Sequence, residues 1–311
     1  MEISDLLVLE DGMPQTVQSI RRLPADVLLL LDTGGALNPA MRTNATRDLA
    51  LRLVSQLRAG DRIAVLQFGG RVDLIQPWTS ERNSVNHALR TILSSGTRTL
   101  MVEALTAAEV ELKTTPIGNR HIVLITDGGD LSVENSALRE SVARLLSTQA
   151  TIHVLSYTSL GRKGINKIHR QHLTTVTANK RKSAQDIADE IVRPNSPEAK
   201  DTKLKRKLYL VIETDFQMWR HSRDYAKGLE KNEQWLAWLA EESGGEMTLP
   251  RAKEEFPGEA DRMAREIDSQ YLVTYRPNRT ESSGPGELRR IEVFPRRIGL
   301  RLRSRRSYVA R

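Results

Sequence analysis

Ala25-Asp26-Val27-Leu28-Leu29-Leu30-Leu31-Asp32-Thr33-Gly34-Gly35-Ala36 decides the fold. Its centre has no polar position and offers no face to water, so the run reads as a strand buried on both sides, as in a parallel sheet covered by helices. Pro39–Leu57 then carries Met41, Ala45, Leu49, Leu53 and Leu57 at spacings of four, one apolar stripe of a helix. The alternation continues outward. Arg62–Phe68 is a strand, with Val72–Gln76 antiparallel to it across Gly69-Gly70; Glu81–Leu93 and Leu100–Lys113 are helices; His121–Thr126 is a strand, Val133–Ser147 a helix and Thr151–Tyr157 a strand. The expected class is α/β, a doubly wound and mostly parallel sheet.

After Tyr157 the chain turns polar and basic, and no continuous apolar face can be drawn through about residue 203; residues 160–203 are expected to be the least ordered. Order resumes with a strand at Lys207–Glu213 and a helix at Glu230–Glu242, where Trp235 and Trp238 read as packing residues, with an exposed aromatic anchor as the lesser reading, and Gly244-Gly245 as a helix C-cap. Phe256–Ser269 is a last helix. From Gln270 the period changes to two, giving strands at Tyr271–Tyr275, Glu287–Phe294 and Leu300–Arg303. These and an N-terminal strand at Ile3–Glu10 each leave an edge open, so they are expected to join in one small sheet. The division is 1–20 as the N-terminal part of a discontinuous β-rich satellite, 21–269 as the α/β domain with a basic insertion at about 158–206, and 270–311 as the rest of the satellite.

The net charge of +8 is uneven: residues 1–157 come to about −2 and residues 158–311 to about +10. Segments 158–210 and 289–311 supply the excess, and such segments suit nucleic acid, an anionic surface or an acidic partner. With no Cys, disulfides and thiolate zinc sites are excluded. The start MEISDLL lacks a basic region followed by an apolar stretch, and no apolar run is long enough to cross a bilayer, so the chain as written is expected to be soluble without an export signal. His87, His121, His153, His169, His172 and His221 show no metal spacing. Ser159, Ser222 and Thr126 lie in no nucleophile motif, and the glycine pairs match neither a P-loop nor a dinucleotide fingerprint. No enzyme is expected.

Val27–Asp32, then Leu66-Gln67-Phe68, Thr99 before Glu103-Ala104-Leu105, and Val123–Gly128 together resemble a von Willebrand factor A (VWA) domain in order and spacing, a Rossmann-like fold. Val8–Gln15, Leu239–Gly245, and Gln270–Pro277 leading to Arg290–Val293 resemble a bacterial group of VWFA-related proteins. In that group a β-sandwich-like segment precedes the A domain and members are often exported; this chain is expected to begin inside that segment. Residues 158–234 carry no part of the resemblance.

The resemblance implies a metal-ion-dependent adhesion site built from a D-x-S-x-S turn, a threonine and a second aspartate. Mg²⁺ takes six hard oxygens in octahedral geometry, which explains the residue types. Here Asp32, Thr99 and Asp127 match, while Gly34 and Ala36 stand where serines are expected. The site is therefore degenerate, with weak Mg²⁺ binding as its most that the residues imply, helped by water or by Thr33, Thr97 or Asp130. On the other reading Asp32 and Asp127 only cap loops by accepting backbone N–H groups. If the metal reading holds, Ser at positions 34 and 36 raises Mg²⁺ affinity unless Gly34 occupies a positive φ. The expected function is a non-enzymatic adhesion or scaffold module that holds a protein partner on this loop face. Nucleic-acid or anionic-surface binding through 158–210 and 289–311 is the alternative.

Overall fold

The computed structural model describes residues 2–34, 39–96, 98–126, 128, 136–159, 227–277 and 288–309. Asp127, Ala36, Thr97 and Asp130, nearly all of the basic insertion, the expected strand Lys207–Glu213, and Ser222, His169, His172 and His221 lie outside the described residues. Residues Met1–Thr158 and Lys231–Arg311 form one compact unit, and Ser159–Glu230 the other.

Two sheets share the first unit. One has the order β5-β4-β3-β6-β7-β8, from strands β3 (Asp26–Asp32), β4 (Arg62–Phe68), β5 (Val72–Thr79), β6 (Arg120–Thr126), β7 (Thr151–Ser156) and β8 (Met247–Thr248). All neighbours are parallel except β4 and β5. Helices α1 (Pro39–Gln56), α2 (Arg82–Thr91), α3 (Met101–Lys113), α4 (Ser136–Ser147), α5 (227–243) and α6 (Phe256–Asp268) connect and flank the strands. Val27 to Leu31 are all fully buried, so β3 is the central strand that its unbroken apolar run predicts. Leu28 and Leu30 pack with Ala104, Leu105 and Ala108 of α3 and with Leu236 and Leu239 of α5 in one core. Trp235 packs against that core, whereas Trp238 is 46% exposed.

β6 starts one residue earlier than the sequence suggested, because Arg120 is buried and useful there. Its guanidinium donates to Thr115 Oγ1, to the Thr115 and Pro116 carbonyls and to the Thr148 carbonyl, just past the ends of α3 and α4. A cation suits two helix C-termini.

The second sheet is antiparallel, with the order β11-β10-β1-β2-β9 from β1 (Leu6–Glu10), β2 (Met13–Arg21), β9 (Leu272–Arg276), β10 (Leu288–Pro295) and β11 (Ser307–Val309). The N-terminal strand pairs with a C-terminal one, as its open edge predicts: Leu6 to Glu10 of β1 register with Pro295 to Ile291 of β10. Three expectations are corrected. Ile3–Asp5 is a 3-10 turn rather than strand, and its Asp5 carboxylate accepts the Glu2 N–H. β2, which the sequence reading passed over, folds back on β1 through Asp11 (φ 50°) and Gly12 (φ 79°), the Asp-Gly pair of a tight hairpin. Leu300–Arg303 is not a strand; the third C-terminal strand is Ser307–Val309.

The last correction has a local cause. Residues 303–307 cross the edge of the α/β layers as a strap. Arg303 pairs with Glu246 and Glu266, Arg306 with Glu241, and Ser307 Oγ donates to Glu242. The Arg305 guanidinium donates to the Gln149 carbonyl at 2.6 Å. Gly244 (φ 84°) lies directly under the strap, where a Cβ would come within 2.5 Å of Arg305 N. Gly245 is equally close to β7, at 2.0 Å from the Ile152 carbonyl oxygen for the same added atom. Ser243 completes this corner by accepting the Ile152 N–H at 2.8 Å.

His121 and His153 stack in the core, fully buried, with ring centroids 5.4 Å apart. Asn119 Nδ2 donates to the Leu23 carbonyl, which turns its Oδ1 toward His121 Nε2 at 2.8 Å. His121 therefore carries its proton on Nε2, and its Nδ1 accepts from His153 Nε2 at 3.2 Å. Burial pushes both imidazoles below their ordinary value, His153 to about 3; the neighbouring His153 ring adds to the effect on His121, and the Arg303 cation to that on His153. Both are neutral in the folded chain, and the unfolded chain takes up their protons below about pH 6.5. Stability is thus expected to fall as pH drops from 6.5 toward 3, by up to about 1.4 kcal/mol per pH unit for each histidine. Urea unfolding midpoints at pH 7.5 and 5 check this: the loss on acidification should be smaller in a His121→Asn, His153→Gln double variant than in the native chain.

Candidate functional site

The loops that follow β3, β4 and β6, together with the chain before α3, meet at the carboxyl ends of the parallel strands, where doubly wound folds commonly bind ligands. Asp32 sits at the centre with no exposed surface. Its Oδ1 accepts the Gly34 N–H at 3.0 Å and lies 3.5 Å from Thr99 Oγ1; its Oδ2 accepts the Thr126 hydroxyl at 2.7 Å. Thr126 Oγ1 in turn accepts the Gly128 N–H, and the Gly128 carbonyl accepts from Asn232 of α5. On the other side the Thr46 hydroxyl contacts the Asp32 carbonyl and the Tyr157 hydroxyl. One carboxylate thereby ties the end of β3 to the end of β6 and reaches the chain at Thr99.

Of the residues expected at the site, the structure brings Asp32, Gly34 and Thr99 together; Asp127 and Ala36 lie outside the described residues. The glycines are what the sequence reading missed. A Cβ on Gly34 would stand 2.1 Å from the Arg98 carbonyl oxygen and 2.9 Å from Thr99 N. One on Gly69 would meet Thr33 Oγ1 at 2.4 Å, and one on Gly96 would meet the Gly69 carbonyl oxygen at 1.5 Å. Backbone hydrogen bonds occupy the space that side chains would need: Thr33 N to the Phe68 carbonyl, Gly96 N to the Thr33 carbonyl and Gly70 N to the Arg98 carbonyl, at 2.8 to 3.0 Å. Gly34 is not in the left-handed region, so the positive φ anticipated for it is replaced by a steric reason.

These donors do not fit a hexacoordinate Mg²⁺ among the described residues. Gly34 has no side-chain oxygen and no room for one, and Asp32 is enclosed with three donors already directed at it. No group of three or more His, Asp or Glu residues that could hold a metal occurs among the described residues. Thr33 Oγ1, buried against Gly69, has no hydrogen-bond partner there.

The C-terminal basic segment is half consumed internally. Arg289 pairs with Glu10, Arg290 with Glu292, Arg303 with Glu246 and Glu266, and Arg306 with Glu241. Of its exposed arginines, Arg296, Arg297 and Arg301 have no carboxylate partner among the described residues.

With this geometry in place, residues 27–129, which run from β3 to just past the end of β6, match the family model of the von Willebrand factor type A domain. No curated protein matches. Among solved structures the chain is similar to a conserved hypothetical protein BatB from Bacteroides thetaiotaomicron (24% identity, 42% of this chain and 66% of that one, TM-score 0.37). It is also similar to a von Willebrand factor type A protein from Catenulispora acidiphila (13% identity, 85% and 45%, TM-score 0.47). A third is the vWF domain of the type V pili tip protein Mfa5 from Porphyromonas gingivalis (22% identity, 34% and 38%, TM-score 0.31). The chain thus spans less than two thirds of the length of each of these.

Gly34→Ser is expected to lower stability, on the order of 2–4 kcal/mol as for other overpacked or strained buried sites, and not to raise Mg²⁺ affinity. Asp32→Ala is expected to lose about 3–5 kcal/mol by leaving buried donors unmet. Chemical unfolding with calorimetric Mg²⁺ titration checks both; a folded Gly34→Ser chain that binds Mg²⁺ more tightly contradicts the packing argument.

Proposed function

We propose that the chain is a non-enzymatic protein-interaction module, of the adhesion or scaffold kind, that holds a protein partner on the loop face around Asp32, Thr99 and Asp127. In this reading the metal-ion-dependent adhesion site is degenerate: Asp32 acts as the fastener of the face, and recognition does not require Mg²⁺. The division into a 21–269 domain and a discontinuous β satellite of 1–20 plus 270–311 belongs to the same reading. The observation that carries it is the fit of Gly34, Gly69 and Gly96, which packs three loops backbone against backbone while leaving Arg98 exposed and Thr99 part-exposed beside them. A surface fixed in advance loses little conformational freedom on binding, which favours recognition over chemistry.

The test uses side chains that stand exposed or part-exposed on the face, with thermal unfolding showing that each variant remains folded. Cross-linking from a photoreactive residue placed at Arg98, followed by mass spectrometry, identifies the partner. Recovery of that partner should fall at least about tenfold in an Arg98→Glu, Thr99→Ala variant and should be the same in Mg²⁺ as in EDTA. Unchanged recovery by the variant rejects this face; loss in EDTA alone restores a metal role.

The alternative, nucleic-acid or anionic-surface binding through 158–210 and 289–311, rests on Arg296, Arg297 and Arg301 as exposed cations with no carboxylate partner among the described residues. Phosphate binding weakens steeply with salt because counterions are released. A chain that binds no DNA even at low salt removes that alternative.

A further inference from the structure

At the opposite pole, the amino ends of β6 and β7, a cavity of about 1340 Å³ lies under the inner face of the antiparallel sheet, with Ile117, Gln149 and Thr151 on the α/β side. We infer that this cavity binds a single-chain amphiphile with an anionic head, such as a long-chain fatty acid.

One part of the lining is apolar: Leu6, Val8, Val273, Ile291, Val293 and Leu302 contribute it from four segments of the satellite, while polar and charged side chains line the rest. Val273, Ile291, Val293 and Leu302 keep part of their surface accessible although they face inward, so the sheet and the strap leave between them a space that their own side chains do not fill. That much wetted apolar wall is unfavourable until an apolar ligand displaces the water.

Arg305, a cation with no carboxylate partner among the described residues, stands on the inner part of the lining. Arg305 is held by the strap, enclosed by protein yet part-exposed, and its described hydrogen bond is the one to the Gln149 carbonyl. A guanidinium has five N–H donors in a rigid fork and keeps its charge, so donors remain for a bidentate anion. Tyr275 also lines the cavity, but burial and its hydrogen bond to the Glu10 carboxylate push its phenol above the ordinary value, so its proton is committed to Glu10 and the anion contact falls to Arg305. The carboxylates on the lining do not compete: Glu246 and Glu266 are paired with Arg303, and Asp5 accepts the Glu2 N–H. Burial lowers the pKa of Arg305 from its ordinary value, the expected response of a cation that lacks a close counter-charge.

The rim supplies an entry. Ile298 is 99% exposed at the turn after β10, next to Gly299 (φ 84°) and between Arg297 and Arg301, and all four lie on the lining. An apolar tip flanked by cations suits the headgroup region of an anionic bilayer, one of two sources for the ligand, the other being free acid.

Titration of the full chain with cis-parinaric acid, a fluorescent fatty acid, tests the inference, with lauric acid and dodecanol as competitors. Saturable binding is expected, with the acid displacing the probe more effectively than the alcohol. Arg305→Gln should weaken the acid by about tenfold and leave the alcohol unchanged, since a charge-assisted hydrogen bond is lost. Val293→Trp, which fills the cavity, should weaken both. Absence of saturable binding or of the acid preference in the native chain overturns the inference, whatever the variants do. So does an acid preference that survives Arg305→Gln, or binding unaffected by Val293→Trp in variants whose thermal unfolding shows them folded. Given free-acid binding, co-sedimentation with phosphatidylglycerol vesicles that Ile298→Asp abolishes identifies the bilayer as the source, and no co-sedimentation identifies free acid. The loop face plays no part in any arm, so failure here leaves the protein-partner reading intact.

Discussion

Burying a carboxylate is unfavourable by several kcal/mol unless its oxygens are met by donors, and Asp32 is buried completely at the point where the loops of the α/β layers converge. The Gly34 N–H, the Thr126 hydroxyl and, at the limit of hydrogen bonding, the Thr99 hydroxyl meet it. Each lies on a different piece of chain, so the requirement to satisfy one charge fixes three segments at once. Once they are fixed, there is no distance left for side chains, and Gly34, Gly69 and Gly96 follow from that closeness. The same aspartate that resembles a metal ligand thus serves a structural purpose that holds without an ion. Replacing the serine of the D-x-S-x-S pattern by glycine exchanges a hydroxyl that would face a metal for a backbone that approaches its neighbour.

A second buried charge organises the antiparallel sheet. Glu10, at the end of β1, pairs with Arg289 on β10 at 2.6 Å, both nearly inaccessible to water. A charged pair in that position specifies register, because a slip of one residue turns both side chains to the outer face. The strap then joins this sheet to the α/β layers through Arg303, Arg305 and Arg306, whose partners belong to the edge of those layers, α5 and α6. Arginine suits such a seam because its long stem spans a gap while its fork fixes direction.

What could be read in the sequence followed burial. The unbroken apolar runs of β3, β6 and β7 and the four-residue stripe of α1 identify a doubly wound sheet because each segment's local pattern agrees with its final environment. β2 was hidden for the opposite reason: Met13-Pro14-Gln15-Thr16-Val17-Gln18 has a weak alternation, and a register shift between Val17 and Ser19 breaks it further. Its signal was Asp11-Gly12, a turn dipeptide rather than a periodicity. Leu300–Arg303 alternates as a strand does, yet its arginine is drawn to carboxylates on β8's approach and α6, partners about 40 to 60 residues away that no local window contains. At the loop face Asp32 and Thr99 were legible by spacing. The glycine fit was not, since it depends on backbone approach between segments that only the folded sheet brings together.

Spreading 289–311 over these roles changes what its charge means. Read as a run, nine basic residues form an anionic-surface patch; read in place, half of the described ones are counter-ions of this chain's own carboxylates. Net charge measures attraction at a distance, but a guanidinium already forked onto a carboxylate offers little further binding at close range, because its donors are taken and its field is locally cancelled. The arginines that keep their capacity are those the fold has not used: Arg296, Arg297 and Arg301 around the exposed Ile298, and Arg305 beside the cavity, bonded to a neutral carbonyl rather than an anion. The uncommitted charge of the described C-terminal segment is therefore gathered at the amino-end pole, while the carboxyl-end face, apart from the exposed Arg98, is built from a buried aspartate, threonine hydroxyls and close-packed glycine backbone. That separation follows from topology. In a doubly wound sheet both chain termini can be returned to the amino ends of the strands without crossing the loops at the carboxyl ends, so a satellite built from the termini leaves the loop face free.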